Sequence, residues 1–229
     1  MTSVGEPLES GPGSARPGVA AFDFDGTLIR GDSFLPFLVA AVGRPRFARV
    51  AMRSSGSLGR AYQRGGRDAA KAALLQRLMV GYAARELAVL GERYAVSLVP
   101  QVRPAMAQRV AWHHQRGHRL VLVSASLDLY LEHVARALRF DHVLATRLEI
   151  GADGRLTGRL AGANVRGAEK ATLLRAWLAR EFPGGDYELW AYGDSAGDRE
   201  LLAMADHPTL LTRRMEKSLA LPSSAGRRI

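Results

Sequence analysis

The sequence predicts a doubly wound α/β fold, built on a mainly parallel sheet with an inserted block of helices. Three observations lead to this prediction. Residues 19–22 form an apolar segment with the length and composition of a buried strand. About seventy residues with apolar side chains at helical spacing follow that segment. From Pro104 onward, strand-like and helix-like segments alternate, which is the pattern of a doubly wound sheet.

Composition limits the classes of function open to this chain. The mean hydropathy of −0.08 and the hydrophobic content of 47% are those of a globular protein in water. The absence of cysteine excludes disulfides, thiolate metal sites and a cysteine nucleophile, and it fits a cytoplasmic location. The net charge of +10 favours anionic partners, although an arginine-rich surface without any partner explains it equally well.

Composition and periodicity divide the chain into a disordered leader, a core in two pieces, a helical cap and a basic tail. These segments are residues 1–17, residues 18–31 with 104–212, residues 32–103, and residues 213–229, respectively. The leader is rich in Gly, Pro and Ser and has no apolar segment of the kind found in signal peptides. Within the cap, helix breaks are predicted at Gly43-Arg44-Pro45 and at Gly65-Gly66.

In the second piece of the core, the predicted elements follow one another closely. A helix over residues 104–116 has Pro104 in its first turn and Gly117 at its end. His113, His114 and His118 are predicted to be surface residues of this region. The elements predicted after it are a strand at 119–123, a helix at 127–139, a strand at 142–145, a hairpin of 147–150 with 155–160, a helix at 169–181, a strand at 187–192, a helix at 199–204 and a strand at 207–211.

The residues with catalytic potential each follow a predicted strand or open a predicted helix. The carboxyl ends of parallel strands share one crevice, so we expect these side chains to lie close together. Carboxylates buried in such a place need a cation or a proton to neutralise them. The residues concerned are Asp23, Asp25, Ser124, Lys170, Asp194 and Asp198.

This set of side chains suits phosphoryl transfer. A hard cation such as Mg²⁺ prefers oxygen ligands, which Asp23, Asp194 and the main chain of Asp25 supply. A hydroxyl and an ammonium hold phosphoryl oxygens and balance the charge that develops during transfer. One aspartate can act as the nucleophile, while a second protonates the leaving alkoxide and then activates water.

These residues belong to four motifs, which are Asp23-Phe24-Asp25-Gly26-Thr27, Ser124, Lys170 and Gly193-Asp194-Ser195-Ala196-Gly197-Asp198. In order and spacing, the four motifs resemble those of the haloacid dehalogenase superfamily of phosphatases, over residues 19–211. Within that superfamily the chain looks like the phosphoserine-phosphatase-like branch, subfamily IB, which has a Rossmann-like core and a C1-type helical cap. The resemblance implies that Asp23 is the nucleophile, forming an aspartyl phosphate, and that Asp25 is the general acid and base. It further implies that Asp23, Asp25 and Asp194 form a Mg²⁺ site.

The same resemblance assigns roles in substrate binding. Ser124 would bind phosphate together with Gly26 and Thr27, and Lys170 would bridge the nucleophile and the phosphate. Asp198 would support the metal through water or hold the lysine. Asp32 lies where phosphoserine phosphatases carry an acidic residue, usually glutamate, that reads the amino group of the substrate; its alternative role is a helix N-cap. 

Three functions remain open from the sequence. The first is a Mg²⁺-dependent phosphomonoester hydrolase acting on a small or lipid-linked phosphomonoester. The second is a phosphotransferase that uses an acceptor other than water and shares every motif. The third is a basic module that binds anions or a membrane surface through its arginines without catalysis, which allows peripheral membrane contact. No interleaving of aromatic and basic residues favours nucleic acid, and no segment approaches the roughly 20 apolar residues of a membrane span.

Overall fold

The computed structural model describes residues 16–212. Seven strands lie in this part of the chain: β1 (Gly18–Phe22), β2 (Arg119–Leu127), β3 (His142–Thr146), β4 (Leu148–Ile150), β5 (Leu156–Leu160), β6 (Glu188–Gly193) and β7 (His207–Leu210). The seven α-helices there are α1 (Phe34–Val42), α2 (Arg44–Met79), α3 (Ala84–Leu98), α4 (Pro104–Gln115), α5 (Asp128–Ala137), α6 (Ala168–Glu181) and α7 (Arg199–Ala203).

Five strands form one parallel sheet in the order β3-β2-β1-β6-β7, while β4 and β5 form a separate antiparallel hairpin. The central strand β1 is buried along its whole length, as expected for a strand covered on both faces. Ala20 and Phe22 pack into a core layer shared with α3, α4 and α5, whereas Val19 and Ala21 pack into a layer shared with α6 and α7. Helices therefore cover both faces of the sheet, and the predicted doubly wound α/β fold is confirmed.

The helices α1, α2 and α3 lie between β1 and β2 in the chain, and we call residues 34–101 the helical insert. Both predicted breaks occur: Gly43 separates α1 from α2 with a φ of +79°, and Gly65 and Gly66 interrupt α2 with non-helical backbone angles. Arg77 donates a hydrogen bond to the Ser57 hydroxyl at 3.1 Å, so the two parts of α2 lie side by side. Among the described residues, no helix is long and apolar enough to cross a membrane.

The predicted boundaries of the cap, at residues 32 and 103, stay a prediction. The predicted tail lies outside the described residues, as does the predicted leader apart from Arg16 and Pro17. Pro17 continues the pairing of β1 with β6 at the amino end of the strand, since its carbonyl oxygen accepts a hydrogen bond from the Glu188 amide at 3.0 Å.

Strand β2 is four residues longer than predicted and ends at Leu127 rather than Val123. Its register with β3 shifts between Ser124 and Leu127, so the end of the strand is irregular. The polar segment Ser124-Ala125-Ser126, at which the strand is predicted to end, follows Val123. It remains in the strand because Ser124 and Ser126 find hydrogen-bond partners inside the protein and are both buried.

The prediction that His113 lies at the surface is wrong. Its side chain is fully buried, with Nε2 3.0 Å from the Tyr192 hydroxyl and Nδ1 2.8 Å from Nδ1 of His118. Burial, reinforced by His118, lowers the pKa of His113 to about 2. The His118 ring lies where a side chain at Gly18 would be, 2.4 Å from an ideal Cβ, so a glycine in the central strand makes room for this pair.

Candidate active site

Asp23 lies immediately beyond the carboxyl end of the central strand, and the turn that follows brings Thr27 back into contact with it. Its amide donates to the Tyr192 carbonyl oxygen at 2.9 Å, which extends the pairing of β1 with β6 by one residue. Four residues later the Thr27 hydroxyl donates to Asp23 Oδ2 at 3.1 Å. Thr27 is fully buried, so the structure places this residue, expected to bind phosphate, against the Asp23 carboxylate.

Lys170, in the first turn of α6, joins two carboxylates. Its Nζ lies 2.6 Å from Asp23 Oδ1 and 2.6 Å from Asp198 Oδ1, and the side chain is 3% exposed. Burial by itself lowers the pKa of Lys170, but the charges of Asp23 and Asp198 outweigh burial and raise it. Lys170 therefore remains an ammonium at neutral pH.

Asp198 is engaged through both of its carboxylate oxygens. While Oδ1 accepts from Lys170, Oδ2 accepts from the Ser195 amide and hydroxyl, each at 3.0 Å, and from the Asp194 amide at 3.2 Å. Of the two roles that the sequence left open for Asp198, the geometry favours holding the lysine. The residue also fixes the loop after β6 that carries Asp194.

Gly26 allows Asp194 to approach the site. With a φ of +80°, Gly26 adopts a conformation that residues with side chains rarely take, and an ideal Cβ there would lie 2.2 Å from Asp194 Oδ2. The Gly26 carbonyl oxygen accepts a hydrogen bond from Arg103, a residue that lies outside the sequence motifs. Gly26 thus shapes the site through its backbone and its lack of a side chain.

The carboxylates beside Lys170 fit a hard divalent cation. Oxygens of Asp23, Asp194 and Asp198 all lie within 4.8 Å of one another. Burial raises the pKa of Asp23 to about 7 and also raises that of Asp194, so one ammonium does not neutralise the group. Clustered carboxylate oxygens are the donors that Mg²⁺ prefers. Among the described residues, the Asp198 carboxylate accepts four hydrogen bonds and that of Asp23 only two, so Asp23 and Asp194 are the side chains best placed to hold the ion.

The Asp25 carboxyl group points away from this cluster. Its Oδ1 accepts from the Ser33 amide at 2.8 Å, and its Oδ2 accepts from the Ser126 hydroxyl. Burial raises the pKa of Asp25, although both hydrogen bonds oppose the rise. A carboxyl group with a raised pKa retains a proton at higher pH, which suits a general acid. If Asp25 contributes to a cation site, its main chain is the part that does so.

Ser33 and Ser126 were missed in the sequence, yet both contact Asp25. Their hydroxyls lie 3.2 Å apart, and that of Ser33 is also 3.0 Å from the Tyr130 hydroxyl. One signal was available for Ser126: in an extended strand, side chains two residues apart share a face, so Ser126 lies on the same face as Ser124. Ser33 offered no such signal because its contact depends on how the helical insert folds over the core.

Ser124 is buried in the sheet, whereas Asp32 is exposed at the start of a helix. Ser124 is buried near the end of β2, beside β1, and its hydroxyl accepts from the Ser126 amide at 3.1 Å. Asp32 is exposed, and its carboxylate accepts from the Leu35 amide at 2.9 Å and from the Phe34 amide at 3.3 Å. In the structure Asp32 caps α1, which is the alternative role that its position in the sequence allowed.

A parallel sheet with a helical insert after its first strand, and a carboxylate–lysine cluster at the carboxyl ends of its strands, define an α/β enzyme of the phosphatase class. The chain belongs to the haloacid dehalogenase-like hydrolase family, whose family model matches residues 20–203.

Curated relatives cover most of the chain. Protein CicA of Caulobacter vibrioides is 37% identical over 193 residues, which span 83% of this chain and 84% of CicA. A histidinol-phosphatase of Neisseria meningitidis serogroup C is 28% identical over 197 residues, spanning 83% of this chain and 88% of the relative.

Solved structures share the fold. A protein of unknown function from Bordetella pertussis Tohama I is 28% identical with a TM-score of 0.72, covering 89% of this chain and 95% of that one. A phosphoserine phosphatase, solved as an analogue of its phospho-aspartyl intermediate, has a TM-score of 0.56 at 18% identity, covering 90% of this chain and 92% of that one. The predicted resemblance to phosphoserine-phosphatase-like members of the family is confirmed.

Proposed function

We propose that this protein is a Mg²⁺-dependent phosphomonoester hydrolase in which Asp23 is the nucleophile. The observation that carries the proposal is the separation of two carboxyl groups two residues apart in sequence, that of Asp23 buried and that of Asp25 half-buried. Asp23 is held by the Lys170 ammonium and the Thr27 hydroxyl beside the oxygens of Asp194, whereas Asp25 is held apart by two serines. One carboxyl group is thereby prepared for attack and the other for proton transfer.

In the first half-reaction, an oxygen of Asp23 forms a bond to phosphorus while the bond from phosphorus to the substrate alkoxide breaks. Asp25 gives its proton to the leaving oxygen, which departs as an alcohol. In the second half-reaction Asp25 takes a proton from water, the water oxygen bonds to phosphorus, and the bond to Asp23 breaks to release phosphate.

The remaining residues support these steps. Lys170 holds Asp23 in place and balances negative charge on the phosphoryl group, and the Ser124 hydroxyl would donate to a phosphoryl oxygen. Mg²⁺ bound by Asp23, Asp194 and the main chain of Asp25 would supply further positive charge at the phosphoryl oxygens. Asp198 keeps Lys170 and the Asp194 loop in register.

We propose that the substrate is a small phosphomonoester. Lipid-linked phosphomonoesters are the alternative class, to be assayed beside it. The relative named histidinol-phosphatase supports a small amino-alcohol phosphate. The protein should be assayed with Mg²⁺ against phosphoserine, histidinol phosphate, polyol phosphates and lysolipid phosphates. Phosphate release without transfer to added alcohols supports a hydrolase, whereas a phosphorylated acceptor identifies a phosphotransferase.

The nucleophile is tested by Asp23→Asn, with Asp186→Asn at an exposed position as the matched control. Asp23→Asn should abolish hydrolysis of p-nitrophenyl phosphate, because an amide is a poor nucleophile toward phosphorus and a poor leaving group from it. EDTA should abolish the activity of the wild type, and added Mg²⁺ should restore it. Robust turnover by the Asp23→Asn protein would overturn the proposal.

A further inference from the structure

Lys71 of the helical insert lies apart from the Asp23 cluster, and the proposed mechanism does not use it. The side chain extends from α2 to the core, where Nζ donates to the Ala125 carbonyl oxygen and, at 2.6 Å, to Asn164 Oδ1. The same ammonium lies 4.7 Å from the centre of the Phe34 ring. One cation of the insert therefore contacts both the end of β2 and the loop before α6.

Asn164 completes a polar cluster that we call the α2 clasp, formed by Asp68, Lys71 and Asn164. The Asn164 amide nitrogen donates to Asp68 Oδ1 at 2.7 Å, and its Oδ1 accepts from the Thr146 hydroxyl at 3.0 Å as well as from Lys71. Asp68 and Lys71 are three residues apart and so lie on the same face of α2. Together they hold both ends of one amide group, which fixes its orientation.

The clasp acts on the segment that holds Asp25. Ala125 lies between Ser124 and Ser126, where the register of β2 shifts and the regular ladder is interrupted. On one side of Ala125, the Ser124 hydroxyl accepts from the Ser126 amide; on the other, the Ser126 hydroxyl donates to Asp25. Through the Ala125 carbonyl oxygen, Lys71 helps to set the position of both serines.

We propose that Lys71 is a positioning residue for Asp25: the α2 clasp fixes the 124–126 segment so that Ser126 aims the Asp25 carboxyl group at the leaving oxygen. This inference rests on the proposed function of Asp25 as the general acid. Burial lowers the pKa of Lys71 to about 8, and the charges of Asp68, Asp25 and Asp32 oppose that fall. The acid is thereby correctly aimed only while α2 lies on the core.

The test compares Lys71→Met with Arg67→Met, an exposed position one turn earlier in α2. An alkyl phosphate needs a proton on its leaving oxygen, whereas p-nitrophenolate leaves without one. Lys71→Met should lower kcat/KM for an alkyl phosphate about ten- to a hundredfold, and for p-nitrophenyl phosphate no more than about threefold. Arg67→Met should change neither value. An equal loss with both substrates, or no loss with the alkyl phosphate, would overturn the proposal.

A second readout does not depend on turnover. Hydrogen–deuterium exchange of peptides covering residues 124–127 should become faster in Lys71→Met, while peptides from α6 keep the exchange rate of the wild type. Unchanged exchange at 124–127 contradicts the inference whether or not the protein is active. If the wild type hydrolyses no phosphomonoester, the proposed function fails separately, and the exchange experiment still decides whether Lys71 holds this segment.

The clasp should also behave as a unit. Because Lys71 and Asn164 share one hydrogen bond, the double variant Lys71→Met/Asn164→Ala should lose no more activity on the alkyl phosphate than the more severely affected single variant. If the fold-losses of activity in the two single variants multiply in the double variant, the two residues act independently. Asn164 would then not belong to the clasp.

Discussion

Replacing Lys170 by Met removes the cation that contacts both Asp23 and Asp198 and leaves two carboxylates in a buried place. The three side chains are 3%, 7% and 1% exposed for Lys170, Asp23 and Asp198, so solvent cannot take over the role of the ammonium. Removing one partner of a buried ion pair costs about 3–5 kcal/mol of unfolding free energy. We expect a loss of this size at pH 7.5 in the absence of divalent cations.

The loss should depend on pH. Without Lys170, the carboxylates of the folded protein hold a proton at a higher pH than in the wild type, where the pKa of Asp23 is about 7. For each such proton, a fall of one pH unit reduces the deficit by about 1.4 kcal/mol. The wild type also takes up a proton at Asp23 in this range, so the difference between the variant and the wild type should shrink by about 1 kcal/mol between pH 7.5 and pH 6.

Urea unfolding in EDTA, followed by tryptophan fluorescence, measures this difference, since Trp177 and Trp190 are buried. Arg175→Met, at an exposed position of α6, is the matched control and should change the unfolding free energy by no more than about 0.5 kcal/mol. A loss below about 1 kcal/mol for Lys170→Met, as for a surface ion pair, would refute the reasoning. So would a loss that is the same at both pH values.

Two further predictions follow from the geometry. Gly26→Ala should weaken Mg²⁺ binding, measured by calorimetry, and activity by at least about tenfold, because the new Cβ collides with Asp194. Gly31→Ala imposes a similar positive φ with nothing within 4 Å, and equal effects in the two variants would contradict this explanation. As the pH falls below about 6.5, buried His113 should cost up to about 1.4 kcal/mol of stability per unit, because its pKa of about 2 prevents the folded state from taking the proton that the unfolded state binds. His113→Gln should flatten that slope in urea titrations, and an unchanged slope would be evidence against the assignment.

Much of the fold could be predicted because parallel strands covered on both faces are continuous apolar segments. Residues 19–22 and 187–192 were recognisable for this reason, and each is followed directly by carboxylates that the structure brings together. The shared crevice at the strand ends then required only the general geometry of α/β sheets. The roles of those residues stay predictions, but their proximity followed from the order of the strands.

What could not be predicted depends on contacts between distant segments. Ser33 contacts Ser126, which lies 93 positions away in the sequence, and Lys71 contacts Asn164 over the same separation. No local sequence pattern therefore predicts either pair. The contact of His113 with His118 depends on Gly18 of β1, which leaves space for the His118 ring. A side chain whose role is to contact a distant helix or strand does not produce a periodic pattern in the sequence.

The central position of β1 has a consequence for synthesis of the protein. Among the strands that the structure describes, β1 leaves the ribosome first, yet its two neighbours in the sheet begin only at Arg119 and Glu188. Until the second neighbour has been made, one edge of an entirely apolar strand has no hydrogen-bonding partner, which is a situation that favours aggregation of nascent chains. Asp23 likewise precedes its lysine by 147 positions. Truncated nascent chains that end before β6 should therefore bind chaperones, and release should coincide with completion of the carboxylate–lysine cluster.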